Sequence, residues 1–97
     1  MTAFPSLLRL KTGDDVLIVT RPVPQGERML VDGDEIIAQQ SIATGFKVAG
    51  RDLSVGELVL RLGMPIGRVT APIDRGEVVH VHNLESQYLR THRRGEV

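Results

Sequence analysis

Apolar residues fall along this chain in short runs and in strict alternation with polar ones, and hardly any window carries a helical period. Val16-Leu17-Ile18-Val19-Thr20 is a continuous apolar run too short for a free-standing helix, which predicts a buried strand. A turn at Lys11-Thr12-Gly13-Asp14-Asp15 precedes it, and Pro22, Pro24 and Gly26 interrupt pairing after it. Met29-Leu30-Val31 and Asp34-Glu35-Ile36-Ile37-Ala38 flank Asp32-Gly33. Asp-Gly between two apolar runs predicts a hairpin, because its two-residue turn needs positive φ at both central positions. Leu58-Val59-Leu60-Arg61-Leu62 and Ile66-Gly67-Arg68-Val69-Thr70 flank Gly63-Met64-Pro65, a second strand-turn-strand. Glycine or proline breaks almost every helical window, so the only helix expected is a short turn around Val55 or over Ser86 to Arg90.

A repeat of the form apolar-x-x-Gly-x-x-apolar recurs at Val23 to Met29, Ile42 to Val48, Leu53 to Val59 and Ile73 to Val79. Each copy reads as an apolar anchor, a tight turn at the glycine and entry into a strand. The glycines fall at uneven intervals, at 26, 45, 56 and 76, which argues for a compact, internally similar β-fold and against a solenoid.

Gly76 to Leu84 reads as one strand. Alternation along it puts Val78, His80 and His82 on one face and Val79, Val81 and Asn83 on the other. Two residues along a strand is roughly 6.5 to 7 Å, so both imidazoles would reach one metal ion, one carboxylate or one substrate. The plainer alternative is two solvated polar residues on an exposed face. Two histidines do not close a metal site, and with no cysteine in the chain further ligands must be carboxylates, water, substrate or another subunit.

Length and composition narrow the picture. The 97 residues make one small domain, here 11–86 with a segment 1–10 before it and a basic tail 87–97 that reads as frayed and solvated. With Phe4, Phe46 and Tyr88 as the aromatics, the core must be Val, Ile and Leu, which favours sheet. Acidic and basic residues balance at 12 each, so neither nucleic acid nor an anionic membrane surface is an expected partner. The absence of cysteine, of a leader and of a long apolar run fits a cytoplasmic protein.

Four segments carry a resemblance. Ile42-Ala43-Thr44-Gly45-Phe46-Lys47-Val48-Ala49, then Arg51 to Glu57, then Pro65-Ile66-Gly67-Arg68-Val69-Thr70, and finally Ile73 to Leu84 with its ending Gly-Glu-x-Val-His-x-His-Asn, resemble the SAF domain of altronate and galactarate dehydratases. The resemblance covers roughly Asp15 to Leu84 and implies a mainly β architecture, the β-clip, of short strands and tight turns with little helix. Two positions depart from it. Phe46 stands where the family often has the histidine of a Gly-His-Lys segment, and Leu62 where it commonly has tyrosine, which bears on the substrate more than on the fold.

The family implies a sugar-acid dehydratase or related hydroxy-acid lyase. This domain is then either fused to a large catalytic domain or supplied as a separate small subunit, and an end soon after the motif favours the second. Sulfolactate sulfo-lyase has a similar organisation, with an alpha subunit of this kind. Eliminating water or sulfite from a hydroxy acid needs a base for the proton beside the carboxylate, a cation to hold the enediolate and an acid for the leaving group. His80 and His82 are the candidates for proton transfer or metal contact, and Lys47, Arg68 and Asn83 for substrate binding. A divalent metal (iron, manganese, magnesium or zinc) would be shared with the large subunit. Exposed strand edges favour a homodimer when the chain is isolated. The alternative is a non-catalytic carbohydrate or sugar-acid binding or assembly module, as in SAF-like antifreeze or pilus-assembly proteins. The scattered charges argue against a flat ice-binding array.

Overall fold

Over residues 6–86, which the computed structural model describes, the short apolar runs become β-strands and no helix forms. The strands are β1 Leu7–Leu8, β2 Val16–Val19, β3 Arg28–Val31, β4 Asp34–Ile37 and β5 Lys47–Ala49. They continue as β6 Leu58–Arg61, β7 Met64–Val69, β8 Val78–Val79 and β9 Leu84–Ser86. They pair antiparallel throughout, in a four-stranded sheet β1-β2-β5-β8, a hairpin β3-β4 and a three-stranded sheet β6-β7-β9. A mainly β domain of short strands and tight turns is what the hydrophobic pattern predicts.

The core lies on both faces of the four-stranded sheet. Leu17, Val48 and Val78 join Val23, Met29, Val31 and Ile42 in one cluster. Their chain neighbours Val16, Ala49 and Val79 join Leu53, Val59, Val69 and Ile73 in the other. Alternation along a strand sends successive side chains to opposite faces, and burying both faces explains why these strands read as unbroken apolar runs. Each fully buried Val, Ile or Met contributes about 1.5–3 kcal/mol.

The repeat is a property of the fold. Val23 bridges Ile42 and Leu53 bridges Ile73, each through two backbone hydrogen bonds, and the repeat glycines all take positive φ. The pairing of the stretch from Val23 to Ala49 is repeated in that from Leu53 to His80, with Met29–Ile36 answering to Val59–Gly67 and Val31–Asp34 to Arg61–Met64. The second half carries one extra residue, Ile66, skipped where Leu60 pairs with Pro65 and Val59 with Gly67, a β-bulge. Both hairpins turn on two residues with positive φ, Asp32 (50°) and Gly33 (88°), then Leu62 (54°) and Gly63 (76°).

Four expectations change. The second turn is Leu62-Gly63, and Met64 and Pro65 belong to β7, where Pro65 is tolerated because β9 pairs β7 only from Gly67 onward. Val55 sits in a non-helical turn. The fold begins before Lys11, since β1 pairs with Ile18 and Val19. The strand drawn through Gly76 to Leu84 stops at Val79, and the chain turns over residues 80–83 before β9. The helical turn over Ser86 to Arg90 and the basic tail lie outside the described residues, save that Ser86 closes β9.

Candidate functional site

The turn after β8 is built by Asn83. Its backbone N–H donates to the His80 carbonyl (3.0 Å), its side-chain oxygen accepts from the His80 N–H (2.9 Å) and its amide donates to the Val78 carbonyl (2.9 Å). Only 2% of Asn83 is exposed, so these bonds hold a buried side chain that local backbone competes for. The amide also lies 3.1 Å from His82 Nε2. His80 and His82 are thus side chains of a turn, not of one strand face. The Gly-Glu of the motif is structural as well: Glu77 accepts from the Asp74 N–H (2.7 Å), as Glu57 does from Ser54 (2.7 Å) one repeat earlier.

Beyond the turn a pocket of about 450 Å³ opens between two sheets. Lys47, Val79, His80 and Val81 line it from the β5–β8 side, and Arg61, Pro65, Ile66, Leu84 and Ser86 from the β6–β7–β9 side. No carboxylate is among these residues, so three cationic or protonatable groups meet over an apolar floor. Phe46, the residue before Lys47, lays its ring against His80 with centroids 5.2 Å apart. An aromatic face therefore stands beside His80.

Of the residues singled out in the sequence, Lys47 and His80 come together here. Arg68 does not: its guanidinium donates to the Gly56 carbonyl (2.7 Å) and ties down the repeat turn. Asn83 spends its side chain on the turn, and His82 stands outside the lining. Arg61 was missed. Its signal is in the repeat, where it occupies the position of the fully buried Val31. Among the described residues no three His, Asp or Glu side chains converge on a point that could hold a metal ion.

A network on the far side of β2 stiffens the hairpin that carries Arg61. Asp14 accepts from the backbone N–H groups of Leu62 (2.8 Å) and Gly63 (3.0 Å), and Asp15 accepts from Leu60 N–H (2.9 Å) while pairing with Arg51 (3.0 Å). Burial pushes the Asp14 carboxyl up, but the N–H groups of Leu62, Gly63 and Lys11 and the nearby Arg9 charge outweigh it and hold it below the usual carboxylate value. Arg51 also pairs with Glu57 (2.9 Å); that bond, with Asp15, raises the Arg51 value, and Glu57 is lowered first by the Ser54 N–H and then by Arg51.

Among the described residues no helix is long and apolar enough to cross a membrane. The family model for the altronate/galactarate dehydratase SAF domain matches residues 5–87. Altronate dehydratase of Bacillus subtilis is 31% identical over 81 residues, 84% of this chain and 16% of that protein. The altronate dehydratase of Escherichia coli is 32% identical over 76 residues, 78% of this chain and 15% of that protein. The (2R)-sulfolactate sulfo-lyase subunit alpha of Chromohalobacter salexigens is 34% identical over 77 residues, 73% of this chain and 82% of that subunit. The chain spans about one sixth of the length of the two dehydratases and most of that of the subunit. The family match takes in every strand among the described residues, and the chain belongs to the altronate/galactarate dehydratase SAF domain family.

Proposed function

We propose that this domain is the small, substrate-contacting part of a sugar-acid dehydratase or related hydroxy-acid lyase and works with a larger catalytic subunit. The observation that carries the reading is the pocket between the sheets, where Lys47, Arg61 and His80 converge without a neighbouring carboxylate. A hydroxy acid placed there would have its anionic groups held by Lys47 and Arg61. His80, turned to the mouth by Asn83, would move a proton to or from the reacting acid. The open side of the pocket is where the catalytic subunit would dock, and the β-clip assignment goes with this arrangement. A divalent metal such as iron, manganese, magnesium or zinc would take its ligands from the catalytic subunit.

The test is an affinity capture of the tagged chain from its native cells, with the eluate assayed against sugar acids and sulfolactate in the presence of divalent metals. A large co-purifying subunit with lyase activity supports the reading. In that assembly His80→Ala should lower turnover by about two orders of magnitude, and His82→Ala by less than about tenfold. A chain that elutes alone, holds a sugar acid and has no lyase activity would instead be a binding module.

A further inference from the structure

The pocket takes its cations from two opposite walls. Lys47 belongs to the four-stranded sheet, where it pairs in register with Val79, and His80 follows Val79 directly in the turn after β8. Arg61 belongs to the three-stranded sheet, at the end of β6. Between them lie Ile66, Val79 and Leu84, and Ser86 is the one neutral hydroxyl of the lining.

Arg61 is out of place as a structural residue. Its Nε is buried and has no hydrogen-bond partner among the described residues. By contrast Arg9, Arg21, Arg28, Arg51 and Arg75 stand in ion pairs, and Arg68 donates to a carbonyl. The equivalent position in the first repeat is Val31, so the fold itself asks for an apolar residue there. Buried donors are almost always satisfied, so a bare Nε marks Arg61 as a residue kept for the guanidinium it brings to the pocket lining and not for packing.

Resting on the substrate-pocket reading above, we propose that Arg61 anchors the ligand, and that the ligand is a short acid with an anionic group at each end and few hydroxyls. Cations on facing walls match two separated anions. The apolar floor has no partners for a row of hydroxyls, and each hydroxyl buried unpaired weakens binding by about tenfold or more. A long polyhydroxylated acid with a single carboxylate is the ligand this lining disfavours.

The test is an NMR titration of the isotope-labelled full chain at low salt with malate, gluconate and inorganic sulfate. Malate should shift the amides of Lys47, Arg61 and His80 with a Kd at least about tenfold below those of gluconate and sulfate. Arg61→Met should weaken malate binding at least about tenfold without lowering Tm, since it removes an unpaired buried donor. Arg28→Met, on the outer face of β3, should bind as the wild type. Gluconate or sulfate binding as tightly as malate overturns the proposal, as does wild-type malate binding by Arg61→Met, or a lowered Tm in that variant. So does the absence of any binding up to about 100 mM. That last result would leave the lyase reading standing on the turnover of the assembled enzyme, while malate binding without turnover would separate the two the other way.

Discussion

Asn83 shows how much a single side chain settles. Replacing it by Ala leaves the His80 N–H and the Val78 carbonyl without the partner that the buried Asn83 side chain gives them, and stability should fall by about 1–3 kcal/mol in urea unfolding. An unchanged midpoint would mean that water takes over both bonds. Asp14 acts at the same scale through pH. Its folded value is depressed, so its contribution is complete above the unfolded value of about 3.9 and is lost as pH falls through the lower folded value. Glu57, depressed by Ser54 and Arg51, loses its share in the same range. Stability measured from pH 6 down to 2 should therefore decline in the wild type more steeply than in Asp14→Asn, and parallel curves would remove Asp14 from the account.

At the scale of elements the two hairpins differ in how well their turns suit the chain. Asp32-Gly33 has the residues that such a turn prefers, whereas Leu62 holds φ at 54°, a region costly for a side chain of its type, and is half exposed. Leu62→Asn should raise stability by about 0.5–1 kcal/mol, read as a higher Tm, and a fall would show that Leu62 makes contacts worth more than the strain. The strand positions were legible in the sequence because β-branched runs and turn glycines carry local information. The end of β8 was not. Val-His-Val-His-Asn alternates as a strand does, and only the three-way bonding of Asn83, which no alternation encodes, bends it into a turn. Lys47 and His80 could be picked out as side-chain types, but Arg68 looked equally suitable until its bond to Gly56 placed it elsewhere. Arg61 was hidden inside an apolar strand.

On the scale of the whole molecule, one sheet separates two cores that share β2, β5 and β8. Strands common to both cannot leave one cluster without exposing the other, so the domain should unfold in a single transition. Met29→Ala in one core and Ile73→Ala in the other should each cost about 2–5 kcal/mol and move that same transition, seen identically by circular dichroism and by the NMR signals of the core methyl groups. Two separable steps would show that the cores are independent.

Ile66 has a wider meaning. A one-residue insertion is the smallest change that can make two copies of a β-unit unequal, and here it falls on the copy whose wall faces the cavity. The first hairpin keeps an unbroken ladder and a valine where the second has a bulge and a guanidinium. Labour is thereby divided between duplicates: one is held to its sequence by packing, while the other is freed to vary its lining. Diversity in ligand choice among chains built on this plan should accordingly gather between residues 61 and 66, leaving the counterpart hairpin comparatively uniform.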